Sequence, residues 1–129
     1  HHITIENPAR SIIFFNHDLA KVTSEYQLSF VYVDQCCYGL RSPKGSEELE
    51  IWKKPTYFLT SIPELSSMSK HCSNCHQHTH IQGSIRINGK WFNRSLLAGC
   101  YPLPLCNAIV RRVSNCFDGP DETQRQARA

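Results

Sequence analysis

The chain has 129 residues, 40% of them hydrophobic, and a formal net charge of +3. These values describe one ordinary globular domain, large enough to bury a core without stabilising cross-links. The mild positive charge permits a nucleic-acid partner without predicting one. No apolar run is long enough to span a membrane and none looks like a secretion signal, so we expect an intracellular protein, nuclear or cytoplasmic, with no membrane partner.

The first segment of the chain predicts a short strand followed by a helical segment. Residues 2–6 alternate between polar and apolar side chains, and the strand that they predict stops at Asn7-Pro8. A proline at this point suits the first turn of a helix. Residues 11–15 continue as an apolar helix or turn, which residues 17–21 close.

The central segment predicts two strands that pair with each other. Residues 27–37 form the stronger strand, because β-branched and aromatic side chains follow one another there. We expect this run, including Phe30 and Tyr32, to be mostly buried. Residues 39–50 are polar and predict an exposed loop. Residues 52–60 predict the second strand, which pairs back on the first.

The C-terminal segment predicts helices on either side of a hairpin. Residues 62–70 suggest a short helix. Residues 84–92 contain two alternating strands around Asn88-Gly89, a dipeptide typical of a type I′ turn. One helix starts over residues 94–98, and another covers residues 102–113, where apolar side chains recur at helical spacing.

A cluster of thiols and imidazoles lies between these elements. Four of the seven histidines and two of the seven cysteines fall within ten consecutive positions: His71, Cys72, Cys75, His76, His78 and His80. Thiolate and neutral imidazole are the ligands that Zn²⁺ prefers. The two cysteines can chelate from one turn, and the alternating histidines place their imidazoles on one side of an extended segment. The cluster predicts a zinc site, and a histidine-rich loop without metal is the alternative.

A single short loop closes a four-coordinate site only with strain, so at least one ligand should come from elsewhere. The best remote candidates lie at the end of the strongest strand: Cys36 and Cys37. Three later cysteines come second: Cys100, Cys106 and Cys116. The preferred ligand set is Cys36, Cys72, His76 and His78, with Cys75 and His80 as substitutes.

A structural role for the zinc follows from the number and type of these ligands. Four protein ligands complete the tetrahedral coordination of the ion, and no HExxH-like spacing supplies the general base of a zinc hydrolase.

The number of cysteines, seven, is odd. An odd count would leave one thiol unpaired in a secreted protein, so zinc in a reducing compartment is the simpler interpretation.

Three short motifs occur in an order that resembles a known family. The first is Ile-Glu-Asn-Pro at residues 5–8, with a glutamate at the exit of a strand. The second is Asp-Gln-Cys-Cys-Tyr-Gly at residues 34–39, followed by Lys-Pro-Thr at residues 54–56 and by Thr60. The third is Tyr-Pro-Leu-Pro-Leu-Cys-Asn-Ala-Ile at residues 101–109. This order resembles the second half of DNA cytosine-5 methyltransferase-like proteins, particularly the divergent methylase-like sequences of phages and retroelements.

The resemblance spans residues 3–110 and implies part of a methyltransferase-like sheet with a set of site residues. Glu6 matches the glutamate that hydrogen-bonds a target cytosine flipped into a pocket, and Asn7 would fix the adjacent turn. These two are the candidate catalytic residues. Lys54 lies near the place where the family has basic residues that can contact phosphate. The His/Cys loop takes the place of the family's target-recognition region, so zinc would fold a small DNA-facing lobe there.

The resemblance also implies what the chain lacks. The family's catalytic proline-cysteine motif lies upstream of the glutamate strand, before this chain begins, and no glycine-rich loop that holds S-adenosylmethionine (SAM) is present. We therefore expect SAM to bind only if a missing N-terminal half is supplied. The chain would be a fragment, one half of a split enzyme or a remnant reused for binding, and a second chain or domain would complete its fold.

Three other classes of protein stay open. A zinc-dependent nucleic-acid-binding module without enzymatic activity would use dispersed cations for phosphates and aromatic side chains for stacking. Its preferred contacts are Lys53, Lys54, Arg86 and Lys90; the others are Arg41, Lys44, Arg94, Arg111 and Arg112, with Trp52, Tyr57 or Trp91 for stacking. A cysteine-nucleophile enzyme would pair Cys36 or Cys37 with a histidine and Asp34. The last class is a secreted disulfide protein.

The sequence as a whole predicts a mixed α/β domain over residues 1–117. We expect a short sheet of about five strands that includes a β-hairpin, a zinc-binding insertion at residues 70–83 and a C-terminal helix. Residues 118–129 predict a flexible polar tail. Nucleic acid would be contacted through Glu6 and nearby basic residues, without methylation by this chain alone.

Overall fold

The centre of the fold is a three-stranded antiparallel sheet. The computed structural model describes residues 1–118, and of Asp118 the backbone alone. The strands β1 (Thr4–Pro8), β2 (Ser29–Asp34) and β3 (Pro55–Thr60) lie in the order β1-β3-β2. Phe58 of the central strand β3 lies opposite Glu6 on one side and Val31 on the other. The predicted pairing of the two central strands is confirmed, although both strands are shorter than expected.

A second, two-stranded sheet is formed by the hairpin of β4 (Ser84–Ile87) and β5 (Lys90–Asn93). Its turn residues Asn88 and Gly89 have φ angles of 49° and 80°, which confirms the predicted turn, since type I′ requires positive φ at both positions. The expectation of one sheet of five strands is wrong. The hairpin packs its apolar face on other parts of the chain instead of extending the first sheet.

Three α-helices lie within residues 1–118. α1 (His17–Glu25) begins after Asn16, whose side-chain oxygen accepts hydrogen bonds from the N–H groups of Asp18 and Leu19. α2 (Arg94–Leu97) follows the hairpin, and α3 (Leu103–Asp118) ends the described chain. Both α1 and α3 are longer than predicted. Residues 119–129, which make up most of the predicted tail, lie outside the described residues.

Short 3₁₀ helices occupy three of the remaining connections: Ile12–Phe15, Gln35–Tyr38 and Pro63–Met68. The last of these is the short helix predicted before the His/Cys loop. No helix of residues 1–118 combines the length and the apolar character needed to cross a membrane. The described domain is therefore mixed α/β, with small antiparallel sheets and a C-terminal helix.

Two hydrophobic clusters form the core. In the first, α3 packs Leu105, which has no exposed surface, and Ala108 against the sheet residues Val31, Val33 and Phe58. The second cluster surrounds the fully buried Trp52 and includes two side chains of the hairpin, Ile85 and Ile87. Both clusters include residues of the segment between β3 and β4, such as Met68 in the first and the half-buried Ile81 in the second.

The aromatic residues of β2 do not all join this core. Phe30 is 50% exposed, and it lies with Phe14 and Tyr57 on the outer face of the sheet. The expectation that Phe30 is buried is wrong. Successive strand residues point to opposite faces, so Val31 and Val33 take the inner positions and Phe30 and Tyr32 take the outer ones.

Candidate metal centre

The candidate metal centre forms where the His/Cys loop begins beside the end of β2. Lys70 continues the sheet for one residue, since its N–H donates to the carbonyl of Tyr32 at 3.2 Å and its carbonyl accepts from the N–H of Asp34 at 2.8 Å. This pairing places Cys72 next to the 3₁₀ helix that contains Cys36. The loop then turns back, so that His76 and His78 face the two thiols.

The ligand atoms of Cys36, Cys72, His76 and His78 all lie within 4.8 Å of one another. The sulfur of Cys72 is 3.6 Å from Nε2 of His76 and 3.6 Å from Nε2 of His78. A tetrahedral zinc ion with bonds of about 2.0–2.3 Å separates its ligand atoms by roughly 3.3–3.8 Å. The four residues that the sequence selects therefore form a group that can hold a metal such as zinc.

Hydrogen bonds from outside the group fix the orientation of Cys72. Its N–H donates to Oδ2 of Asp34 at 2.7 Å, and its sulfur accepts from the N–H of Asn74 at 3.3 Å. Lys53 in turn donates to the side-chain oxygen of Asn74 at 3.0 Å. From the sequence, Asp34 is a candidate only as the partner of a nucleophilic cysteine, because no local pattern indicates that its carboxylate bonds a backbone N–H in a distant loop.

The electrostatics of the group argue against a cysteine nucleophile and keep one imidazole neutral. Burial raises the pKa of the Cys36 thiol to about 12, and the neighbouring Cys72 thiol adds to the shift. A thiol with so high a pKa is a poor nucleophile unless a cation stabilises its ionised form. Burial and the nearby His76 ring lower the pKa of His78, and the neutral imidazole is the form that binds metal.

The substitutes proposed from the sequence lie at the edge of the group. Cys75 is exposed, and its sulfur is 3.6 Å from Nδ1 of His76, on the other side of that ring. His80 is exposed as well. The remaining candidates lie elsewhere: Cys37 lines a separate cleft, Cys100 precedes α3, and Cys106 and Cys116 lie on α3. All seven cysteines are free thiols.

Glu6 and Asn7, the candidate catalytic residues, point to opposite faces of the sheet because they are successive residues of β1. Glu6 lies on the face of Phe58, whose ring packs on Tyr101. Burial raises the pKa of the Tyr101 phenol, and the Glu6 carboxylate raises it further. The structure thus brings Glu6 close to a tyrosine to which sequence analysis assigned no role.

Lys54 completes this arrangement. Its ammonium group donates to the carbonyl of Ala98 at 2.6 Å and lies 5.6 Å from the centre of the Tyr101 ring. Burial lowers the pKa of Lys54, while the Glu6 carboxylate acts in the opposite direction. All three motifs of the resemblance therefore contribute a residue to one neighbourhood: Glu6, Lys54 and Tyr101.

The other predicted phosphate contacts are spread over the surface. Lys53 lies beside the metal loop, whereas Arg86 and Lys90 lie on the hairpin. Arg86 forms an exposed ion pair with Glu47 at 3.8 Å. Arg94 serves the fold instead, because its guanidinium makes two hydrogen bonds to the buried Glu50, at 2.8 and 2.6 Å.

A groove of about 460 Å³ runs along one side of the metal centre. Arg10, Lys53 and Lys54 line it, and His78 forms part of its wall. Its lining residues in the described chain include no carboxylate.

Comparison with protein-family models, with curated proteins and with solved structures finds no match to the chain.

Proposed function

We propose that the chain is a zinc-stabilised domain of DNA-methyltransferase-like lineage that contacts nucleic acid and does not methylate it alone. The observation on which the proposal depends is that Cys36, Cys72, His76 and His78 place one ligand atom each within 4.8 Å of the others. Two thiols and two imidazoles suit Zn²⁺, whereas Mg²⁺ and Ca²⁺ prefer oxygen ligands.

A structural role for the zinc is supported by the loop that supplies three of the ligands. Residues 71–83, all within the described chain, form no helix or strand. Few backbone hydrogen bonds hold this loop to the domain, among them Thr79 N–H to the carbonyl of Ile51 at 3.0 Å. A metal bound by the loop and by Cys36 would join it to the end of β2, and its binding free energy would add to folding stability.

Metal analysis of the native chain by mass spectrometry tests this part of the proposal. We expect one zinc ion per chain, lost in Cys72→Ser and in His78→Ala together with a lower unfolding midpoint. Cys75→Ser and His80→Ala are matched controls, because each removes the same chemical group from the same loop outside the set. Zinc loss from the controls to the same extent would contradict the ligand assignment. Zinc loss without a change in unfolding would contradict the structural role.

The nucleic-acid part of the proposal is supported by the basic groove beside the metal centre. Three cations, Arg10, Lys53 and Lys54, line one surface, and such a surface attracts phosphates. Lys54 also links the groove to Glu6, whose carboxylate affects its pKa. The resemblance assigns Glu6 to the target base, so the groove would hold the phosphates that flank this base.

A nucleic-acid-binding module without any link to methylation is the second candidate. One observation favours it: Glu6 interacts with Tyr101 inside the protein and is not among the residues that line the groove. In this alternative Glu6 supports the fold, and the groove binds phosphates without selecting a base.

Fluorescence anisotropy with labelled single-stranded DNA separates the two candidates. In both, Arg10→Gln weakens binding roughly fivefold, which corresponds to about 1 kcal/mol for one exposed ion pair. Lys21→Gln, which removes an exposed cation from α1, is the matched control. Only the methyltransferase lineage predicts that Glu6→Gln lowers the preference for oligodeoxycytidine over oligothymidine.

Calorimetry with SAM should give no binding heat, and a tight SAM complex would contradict the proposal.

A further inference from the structure

A second cleft, separate from the groove, lies between α3 and the 3₁₀ helix that contains Cys36. Its volume is about 720 Å³, within the range of about 300–1,000 Å³ that is usual for small-molecule sites. Lys70, Arg111 and Arg112 line it together with the amide of Asn107. The cleft therefore combines three cationic side chains with a volume that can hold a small molecule.

None of the three cations has a carboxylate partner in the described chain. The two ion pairs within residues 1–118 involve other cations: Arg86 pairs with Glu47, and Arg94 pairs with Glu50. Among the described residues that line the cleft, Cys37 is affected by one carboxylate: burial raises the pKa of its thiol, and the carboxylate of Asp34 contributes to raising it. Its oxygens already accept hydrogen bonds from the Cys72 N–H and the Tyr32 hydroxyl. Within the described residues, no ion pair therefore offsets the positive charge of the cleft.

Two of the cations are held in place by the fold. The guanidinium of Arg112 donates from Nε to the Ser67 hydroxyl at 2.8 Å, from Nη1 to the Ala108 carbonyl at 3.0 Å and from Nη2 to the Ser67 carbonyl at 3.4 Å. A guanidinium has more N–H groups than these bonds use, so part of it stays free to bind an anion. Lys70 has its backbone paired with β2, and its ammonium group lies 4.3 Å from the centre of the Tyr38 ring.

We propose that this cleft binds the phosphate group of a ligand of nucleotide size. Fixed guanidinium and ammonium groups bind phosphate with little loss of conformational freedom. The apolar part of the wall, formed by Pro104, Ala108 and the ring of Tyr38, would contact the organic part of such a ligand. The site uses none of the metal ligands and none of the cations of the groove, so it does not depend on the proposed function.

Isothermal titration calorimetry of the full chain as purified tests the site, with pyrophosphate, adenosine monophosphate and a short oligothymidine as separate probes. We expect at least one probe to bind, with an affinity that falls as the salt concentration rises. Arg111→Gln should weaken binding about fivefold to tenfold. Its side chain is exposed, so the fold should be unchanged. Lys21→Gln removes an equivalent exposed charge from α1 and should leave the affinity unchanged.

The probes identify the source of the phosphate. Binding of pyrophosphate or the mononucleotide, weakened in Arg111→Gln, indicates a free phosphorylated ligand. Binding of the oligonucleotide alone, weakened in the same variant, indicates a strand whose backbone enters the cleft. The proposal is overturned if no probe binds, or if Arg111→Gln and Lys21→Gln weaken binding equally. Loss of DNA binding in Arg10→Gln with pyrophosphate binding intact would separate the groove from the cleft.

Discussion

Asp34 joins the central sheet to the candidate metal centre through the backbone of Cys72. The buried carboxylate accepts from the Cys72 N–H at 2.7 Å through Oδ2 and from the Tyr32 hydroxyl at 2.7 Å through Oδ1. Asp34 also precedes Cys36 by two residues. Asp34 therefore lies close in sequence to one ligand and hydrogen-bonds the backbone of another that comes from a distant part of the chain, and contacts outside the ligand set tune metal affinity.

The variant Asp34→Asn should weaken zinc binding about tenfold. An amide has one oxygen in place of the two carboxylate oxygens, so either Cys72 or Tyr32 loses its acceptor. Competition with a chromophoric chelator measures the affinity. Asp18→Asn, which changes an exposed carboxylate at the start of α1, is the control. Equal zinc affinity in Asp34→Asn and the wild-type chain would show that Asp34 does not support the centre.

Thiol reactivity should divide the cysteines into two groups. Cys75 and Cys100 are exposed, whereas Cys36 and Cys72 are half-buried members of the metal group. In the zinc-loaded chain, iodoacetamide should modify the first pair rapidly and Cys72 only after a chelator is added, because a bound thiolate is withheld from the reagent. Peptide mapping by mass spectrometry locates the modified residues. Rapid labelling of Cys72 in the zinc-loaded chain would contradict the metal centre.

Total thiol content tests the disulfide alternative separately. The structure has seven free cysteines, and titration of the denatured chain without reductant should find all of them. A lower count would show that some thiols are oxidised in pairs.

Local patterns predicted the parts of the fold that local chemistry determines. Asn88-Gly89 gave the hairpin, because few other residues adopt positive φ at both turn positions. The site could be assembled in part for a similar reason: a strand ending at Asp34 exposes Cys36 at its end, and the loop supplies the remaining ligand types. The four residues that the structure brings together, Cys36, Cys72, His76 and His78, are the ligand set preferred from the sequence.

Relationships across long sequence distances could not be predicted in this way. Arg94 was expected to be free for phosphate, yet it binds Glu50, which lies 44 positions earlier. The outward position of Phe30 follows from which face of β2 is covered by α3, and the composition of the strand does not indicate this. The hairpin has the right local structure, but its packing around Trp52 excludes it from the first sheet.

Leu105 should be a main source of stability at the contact between α3 and the sheet. It has no exposed surface, so Leu105→Ala should lower the free energy of unfolding by about 2–5 kcal/mol. Val110 lies on the same helix and is 63% exposed, and Val110→Ala should change the value by less than about 0.5 kcal/mol. Urea denaturation measures both. Similar values for the two variants would mean that α3 does not pack on the sheet as described.

Glu50 should make stability depend on pH in the acidic range. Its carboxylate accepts from Arg94 and, at 3.0 Å, from the indole N–H of the buried Trp52. The hydrogen bonds from Arg94 lower the pKa of Glu50. Because the folded-state pKa lies below the unfolded value, about 4.3 for a glutamate, the contribution is complete above that value and is lost as the pH falls through the folded-state pKa.

The variant Glu50→Gln isolates this contribution, because it keeps an acceptor for Trp52 and removes the charge. Between neutral pH and about pH 3, below the ordinary range of a glutamate, the urea midpoint of the wild-type chain should fall more steeply than that of Glu50→Gln. The control is Glu47→Gln, whose ion pair with Arg86 spans 3.8 Å at an exposed position, and its curve should follow the wild type. Parallel curves for Glu50→Gln and the wild-type chain would show that the buried pair does not control acid stability.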